Sequence, residues 1–171
     1  MKPLCNIPFH IPNSEEEPGS FAHVRKHDIH CGVDIYLPEG TPIRFLRPGQ
    51  IVAIERFTGS SVGSPWWNDT WAVHVFNGLE TDVYGEIHKP SHLHIGDKVF
   101  TDSFCGHIAK VLKKMKGKPM TMLHFEQYEG KCLDSVVWNL GEIRPINLND
   151  PTEFLLEKQK EYICQMVKEL L

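Results

Sequence analysis

The chain has no apolar run of the length a membrane span needs, so no transmembrane segment is predicted. Its opening residues, Met1-Lys2-Pro3-Leu4-Cys5-Asn6-Ile7-Pro8, lack the apolar core of a secretory signal, and a cytoplasmic location is the expectation. No Cys-x-x-Cys pair occurs, which argues against a structural zinc ribbon. The five cysteines (Cys5, Cys31, Cys105, Cys132 and Cys164) are scattered and odd in number, so they do not form a disulfide framework. An excess of positive charge is also missing. The formal net charge of −4 argues against a nucleic-acid platform. With 41% hydrophobic and 23% charged residues, the 171-residue chain reads as one globular domain with enough apolar material for a core.

The stretch that carries chemistry is His30-Cys31-Gly32-Val33-Asp34, followed by Ile35-Tyr36-Leu37-Pro38-Glu39-Gly40-Thr41-Pro42. An imidazole and a carboxylate four apart are good ligands for a borderline-soft divalent metal. Gly32 suits tight backbone geometry or close packing, and Val33 and Ile35 alternate with polar positions as on a strand. Two ligands do not hold a metal, so a third must come from elsewhere in the chain. On a strand Cys31 would point away from His30, which favours a buried structural thiol over a ligand or nucleophile.

Residues 1–20 are rich in proline and carry the acidic run Glu15-Glu16-Glu17. They read as an extended arm with little structure of its own. Residues 21–148 read as the main domain: short antiparallel strands joined by tight turns, in a sandwich or barrel. Strands are expected at Ile43–Leu46, Ile51–Glu55, Trp71–Phe76, Thr81–Ile87, Gly106–Val111 and Met120–Tyr128, with a hairpin turn at Asn77-Gly78. In the last strand Met122, His124 and Glu126 share one face, and Leu123 and Phe125 the other. The loop before Trp71 carries Trp66 and Trp67, which either cap the core or wall a substrate groove. His74 is expected to belong to the sheet, and His92 and His94 to be solvent-exposed. Lys113 to Lys118 form a solvated basic loop. Residues 149–171 read as a terminal helix, with Asp150 as N-cap, Pro151 in the first position and Glu153 completing the capping box. Leu155, Tyr162, Met166 and Leu170 make its apolar stripe, flanked by Ile163 and Val167, and the stripe is expected to pack on the domain.

His30-x-x-x-Asp34, the turn Pro38 to Pro42, the strand around Tyr84, Gly96-Asp97-Lys98-Val99, and Leu123-His124-Phe125-Glu126 occur in that order. The arrangement resembles the lysostaphin/LytM-type zinc metallopeptidases, which cut peptide bonds in peptidoglycan, over roughly residues 21 to 130. The resemblance implies a mainly β, LytM-like sandwich or barrel, a Zn2+ cofactor held by His30, Asp34 and His124, and a peptide or peptidoglycan-fragment substrate. Tyr84, Met122, Glu126, Trp66 and Trp67 are expected around the zinc or the substrate. Two positions depart from the pattern. Met122 replaces the first His of the late His-x-His, and Glu86 replaces a His two residues after Tyr84. Met122 can neither shuttle a proton nor donate a hydrogen bond. Glu86 can act as the general base beside a catalytic zinc, and Glu126 can orient a ligand imidazole. The expected function is therefore a zinc-dependent amide hydrolase with Glu86 as base. The alternatives are a catalytically inactive peptide- or protein-binding module and, more distantly, an enzyme with Cys31 or Cys105 as nucleophile.

Overall fold

The computed structural model describes residues 4–114, 117 and 119–170. Met115, Lys116 and Lys118 of the expected basic loop lie outside the described residues, as does the side chain of Leu170.

Alternating strands dominate, as their sequence pattern requires. They are β1 (Asp28–Ile29), β2 (Val33–Tyr36), β3 (Pro42–Arg44), β4 (Gly49–Thr58), β5 (Thr70–Phe76), β6 (Glu80–Ile87), β7 (Lys98–Val99), β8 (Phe104–His107), β9 (Met122–Glu129), β10 (Trp138–Asn139) and β11 (Leu148–Asn149); helix α1 (Thr152–Leu170) closes the chain. The main sheet is antiparallel in the order β11-β9-β6-β5-β4-β7, with β2 also paired to β9. Small two-stranded sheets, β1-β10 and β3-β8, flank it. Among the described residues no helix is long and apolar enough to cross a membrane. The Asn77-Gly78 turn forms as expected: Gly78 takes φ 103°, and the Asn77 side chain accepts from the Leu79 and Glu80 amides.

The sheet has two dissimilar faces. One buries Val33, Ile35, Val73, Tyr84, Leu123 and Phe125 in the main core, against Phe154 and Leu155 of α1. The other carries His124 and Glu126 and a smaller apolar cluster that includes Val83, Tyr128 and Trp138. The site forms on this second face.

The arm carries no helix or strand among its described residues, yet Leu4, Cys5 and Ile11 are buried in the main core, and the Leu4 carbonyl accepts from the Arg44 amide. Proline-rich sequence lacks a period, so its burial is set by the tertiary partner and not by local pattern. The helix starts as expected, with Asp150 Oδ1 accepting from the Thr152 amide at 2.9 Å. Only its first half packs on the domain, however. Leu155 is 2% exposed, whereas Ile163 and Val167 are 53% and 50% exposed.

A buried ion pair meets the first turn of the helix. Arg47 donates to both Asp82 oxygens at 2.6 Å and to Glu80 at 2.8 Å, and its guanidinium lies 4.7 Å from the centre of the Phe154 ring. Burial raises the Asp82 pKa, and the Arg47 pairing works against that rise. Arg47→Met leaves this carboxylate buried without its cation. The expected cost is about 3–5 kcal/mol, read as a lower urea midpoint, and an unchanged midpoint would show that the pair contributes nothing net.

Candidate metal centre and cleft

The β2–β9 register brings two of the expected ligands together, because Asp34 pairs directly with His124. Directly opposed residues project to the same face. His30 arrives from the segment just before β2. His30 Nε2 lies 3.1 Å from Asp34 Oδ1 and 3.2 Å from His124 Nδ1, and His124 Nδ1 lies 2.7 Å from the same oxygen. Among the described residues, these three form the one cluster able to hold a metal ion.

The outer partners determine which ring atoms face inward. His30 Nδ1 lies 2.7 Å from the Ser20 carbonyl, which can only accept, so this nitrogen carries the proton and Nε2 presents its lone pair. His124 Nε2 lies 2.9 Å from Glu126 Oε1, so its proton sits there and Nδ1 faces inward. Glu126 is in turn held by the Tyr128 hydroxyl at 2.8 Å and the Ser135 hydroxyl at 2.7 Å. Two lone pairs and a carboxylate oxygen thus converge on one point, an arrangement that a proton or a bound cation between them would satisfy. The donor set, two imidazoles and one carboxylate, fits zinc and leaves a fourth position open. Without a metal, a proton on His124 takes that role. Burial alone would lower its pKa, but the hydrogen bonds to Asp34 and Glu126 and their charges push it up to about 10. Burial lowers the His30 pKa. Desolvation opposes ionisation of Asp34, yet the two imidazoles outweigh it and hold the carboxyl well below its usual range. Glu126 shows the same balance, with the His124 hydrogen bond overriding burial.

Gly32 is required for close approach. A Cβ there would meet the Phe125 carbonyl oxygen at 2.4 Å and His124 Nε2 at 3.0 Å. Gly32→Ala must push β2 and the ligand imidazole apart. The expected result is a destabilisation of about 1–3 kcal/mol together with weaker zinc binding in a chelator competition. Unaltered zinc affinity would show that the ligands tolerate the displacement.

Beside the cluster lies a cleft of about 350 Å³, lined by Arg25, Cys31, Phe57, Trp67, Glu86, His124, Ser135 and Trp138 among others. Glu86 enters it through a β-bulge. Trp71 pairs with Ile87 and Val73 with Tyr84, so β6 holds one residue more than β5 between these pairs. Glu86 sits in that extra position with φ 62°, a left-handed conformation that a side chain rarely adopts. It is 8% exposed, and its Oε2 has no hydrogen-bond partner. Burial, and then the charge of Asp34, push its pKa up to about 8, while His124 and Arg25 pull in the other direction. A strained, buried and unpaired carboxyl beside a cation site is stored in the fold at a cost, and such residues cluster where chemistry occurs.

The remaining candidates separate. Trp67 lines the cleft, whereas Trp66 stands 60% exposed beyond it, edge-on to Trp67. Tyr84 does not reach the site. It is fully buried on the opposite face, packs edge-on against Phe45 and Phe125, and its hydroxyl accepts from the Leu46 amide. The bulge is the reason: strict alternation would put Tyr84 and Glu86 on one face, and the extra residue separates them. Met122 is buried opposite Tyr36, and it is not among the cleft-lining residues. Cys31 does line the cleft, but burial pushes its thiol up to about 11, so it is no nucleophile at neutral pH. Cys105 is fully buried and its thiol is pushed far upward. His74 belongs to the sheet, bonded to Glu55 at 2.7 Å, and His92 and His94 are exposed. Sequence reasoning did not single out Arg25, Ser20 or Ser135. Nothing local marks them, because each meets the site through a tertiary contact. Tyr128 was within reach, two residues beyond Glu126 on the same face.

No family model and no curated protein matches the sequence. Solved structures do. The chain is similar to the catalytic domain of the antimicrobial peptidase lysostaphin from Staphylococcus simulans, with 18% identity over 82% of this chain and 90% of that one and a TM-score of 0.54. It is similar to LytU, with 20% identity, coverage of 88% and 87%, and a TM-score of 0.56. It is also similar to a zinc-containing peptidase from Vibrio cholerae, with 18% identity, coverage of 75% and 36%, and a TM-score of 0.51. At these identities the likeness shows the fold: the chain has the lysostaphin/LytM-type peptidase fold, mainly antiparallel β with a C-terminal helix.

Proposed function

We propose that the protein is a zinc-dependent hydrolase of amide bonds, acting on peptides such as those of peptidoglycan. The observation that carries this reading is the conjunction of three converging ligand atoms with an unpaired, buried carboxyl aimed into the same cleft. His30, Asp34 and His124 would hold the metal. Bound there, zinc supplies Lewis acidity, bringing the ionisation of a coordinated water toward neutral pH and polarising a carbonyl.

The chain's own residues supply the rest. Ser20 and Glu126 keep the imidazole lone pairs turned inward. Glu86, with its pKa raised to about 8, accepts the proton from the attacking water at its free Oε2 and returns it to the leaving amine. Phe57, Trp67 and Trp138 make the cleft walls apolar, which strengthens these electrostatic contacts by limiting water. Peptides of oligoglycine and of peptidoglycan-stem composition, presented to zinc-loaded protein, provide the test. Cleavage that a chelator abolishes and zinc restores is expected; no cleavage of any member of such a library would overturn the reading.

A further inference from the structure

Arg25 lines the cleft, five residues ahead of His30. Its Nη2 donates to Asp34 Oδ2 at 2.7 Å, whereas Oδ1 of the same carboxylate faces the two imidazoles. The Arg25 side chain is 37% exposed and that of Asp34 only 6%. One edge of the guanidinium is therefore anchored on a metal-ligand carboxylate, and the side chain is partly exposed along the cleft lining. An arginine carries five N–H donors in a rigid planar fork. Among the described residues, the Asp34 contact is the one hydrogen bond its side chain makes.

Several neighbouring donors are engaged: one Arg56 N–H pairs with Asp69, the Thr58 hydroxyl donates to the Asn68 carbonyl, Ser135 donates to Glu126, and the Trp138 indole donates to the Glu142 carbonyl. On the Asp34 side, Glu86 offers only an acceptor when ionised. Hydrolysis of an amide transiently places a negative charge on the former carbonyl oxygen, and that charge needs fixed donors.

We propose that Arg25 is a catalytic residue that receives this oxyanion. The proposal rests on the hydrolase reading above. As the water oxygen bonds to the carbonyl carbon, the C=O π pair moves onto the carbonyl oxygen and Glu86 takes the water's proton. The free N–H groups of Arg25 bind the oxygen in that state. On collapse the C=O bond re-forms, the C–N pair leaves with nitrogen, and Glu86 gives it the proton. The products are an amine and a carboxylic acid, whose ionised form stays beside the same guanidinium.

Zinc-loaded wild type, Arg25→Lys and Arg25→Met provide the test, with thermal melts to confirm that each is folded. Zinc affinity is measured by chelator competition, and binding of inorganic phosphate, a tetrahedral oxyanion, by calorimetry. The expected result is phosphate binding weakened at least tenfold in Arg25→Met and partly retained in Arg25→Lys, with zinc affinity little changed. On a cleaved peptide, kcat should fall about 100-fold or more while KM moves little. Phosphate binding that is absent in the wild type, or equal in all three proteins, overturns the proposal; a fall in zinc affinity alone would then leave Arg25 with the task of seating Asp34. Phosphate binding through Arg25 in a wild type that hydrolyses no peptide supports the oxyanion site and overturns the hydrolase reading.

Discussion

Glu86→Gln is expected to abolish peptide hydrolysis and, at the same time, to stabilise the metal-free protein at alkaline pH. The rate loss should be about 10²–10⁴-fold, the usual worth of a positioned general base. The stability gain follows from proton linkage. A carboxyl at about 8 in the folded protein keeps its proton, while the unfolded chain releases it near the ordinary 4.5. Between these values the folded state binds more protons, so stability falls as pH rises from about 4.5 to about 8 and levels off above. The glutamine variant has no such slope. In chelator, the two proteins should have similar urea midpoints near pH 5 and differ by up to about 5 kcal/mol near pH 9. Parallel pH profiles would mean that water reaches the carboxylate. Retained turnover would show that the proton goes elsewhere. Glu86→Gly should be more stable still, because it also relieves the left-handed backbone at φ 62°. Activity and stability are expected to move in opposite directions here, as they do when a strained charge is kept for its chemistry.

His124→Ala is expected to remove zinc altogether. Wild-type protein should carry close to one equivalent by elemental mass spectrometry, and the variant none after gel filtration. Zinc at about 100-fold over its dissociation constant adds about 2.7 kcal/mol to the folded state. For a chain of this size that raises the melting temperature by about 5–10 °C. The variant should show no zinc-dependent rise, even though it starts lower, with Asp34 and Glu126 deprived of their shared partner. Because His124 holds a proton up to about 10, zinc must displace it. Wild-type zinc affinity should therefore drop about tenfold per pH unit of acidification, and uptake in weakly buffered solution should release a proton. An equal thermal gain in both proteins would place the metal at another site.

Much of the sheet was legible from alternation. The expected strands at Ile51–Glu55, Trp71–Phe76, Thr81–Ile87 and Met120–Tyr128 correspond to β4, β5, β6 and β9, with ends shifted by a few residues. The division of β9 into a His124/Glu126 face and a Leu123/Phe125 face came directly from its period of two. Less was legible where no period exists. The proline-rich arm showed no structure of its own, yet its Ser20 carbonyl sets the His30 tautomer. The helix stripe is continuous in sequence, but its cover is not, since nothing local encodes which part of it meets the core.

At the site, residue chemistry nominated His30 and Asp34, and the resemblance to the lysostaphin/LytM-type peptidases added His124 and Glu86. Local sequence determined the donor types, the strand that carries each and the face on which His124 lies, because these depend on neighbours within a few residues. Tertiary structure decided everything that depends on distance across the chain. The pairing of Asp34 with His124 comes from strand register over ninety residues of separation. Inward-facing lone pairs depend on Ser20 and Glu126, and Arg25 is placed by its bond to Asp34. The bulge that turns Glu86 into the cleft and Tyr84 into the core arises from a mismatch between two strands. Neither strand contains that information alone, because a register shift is a property of the pair.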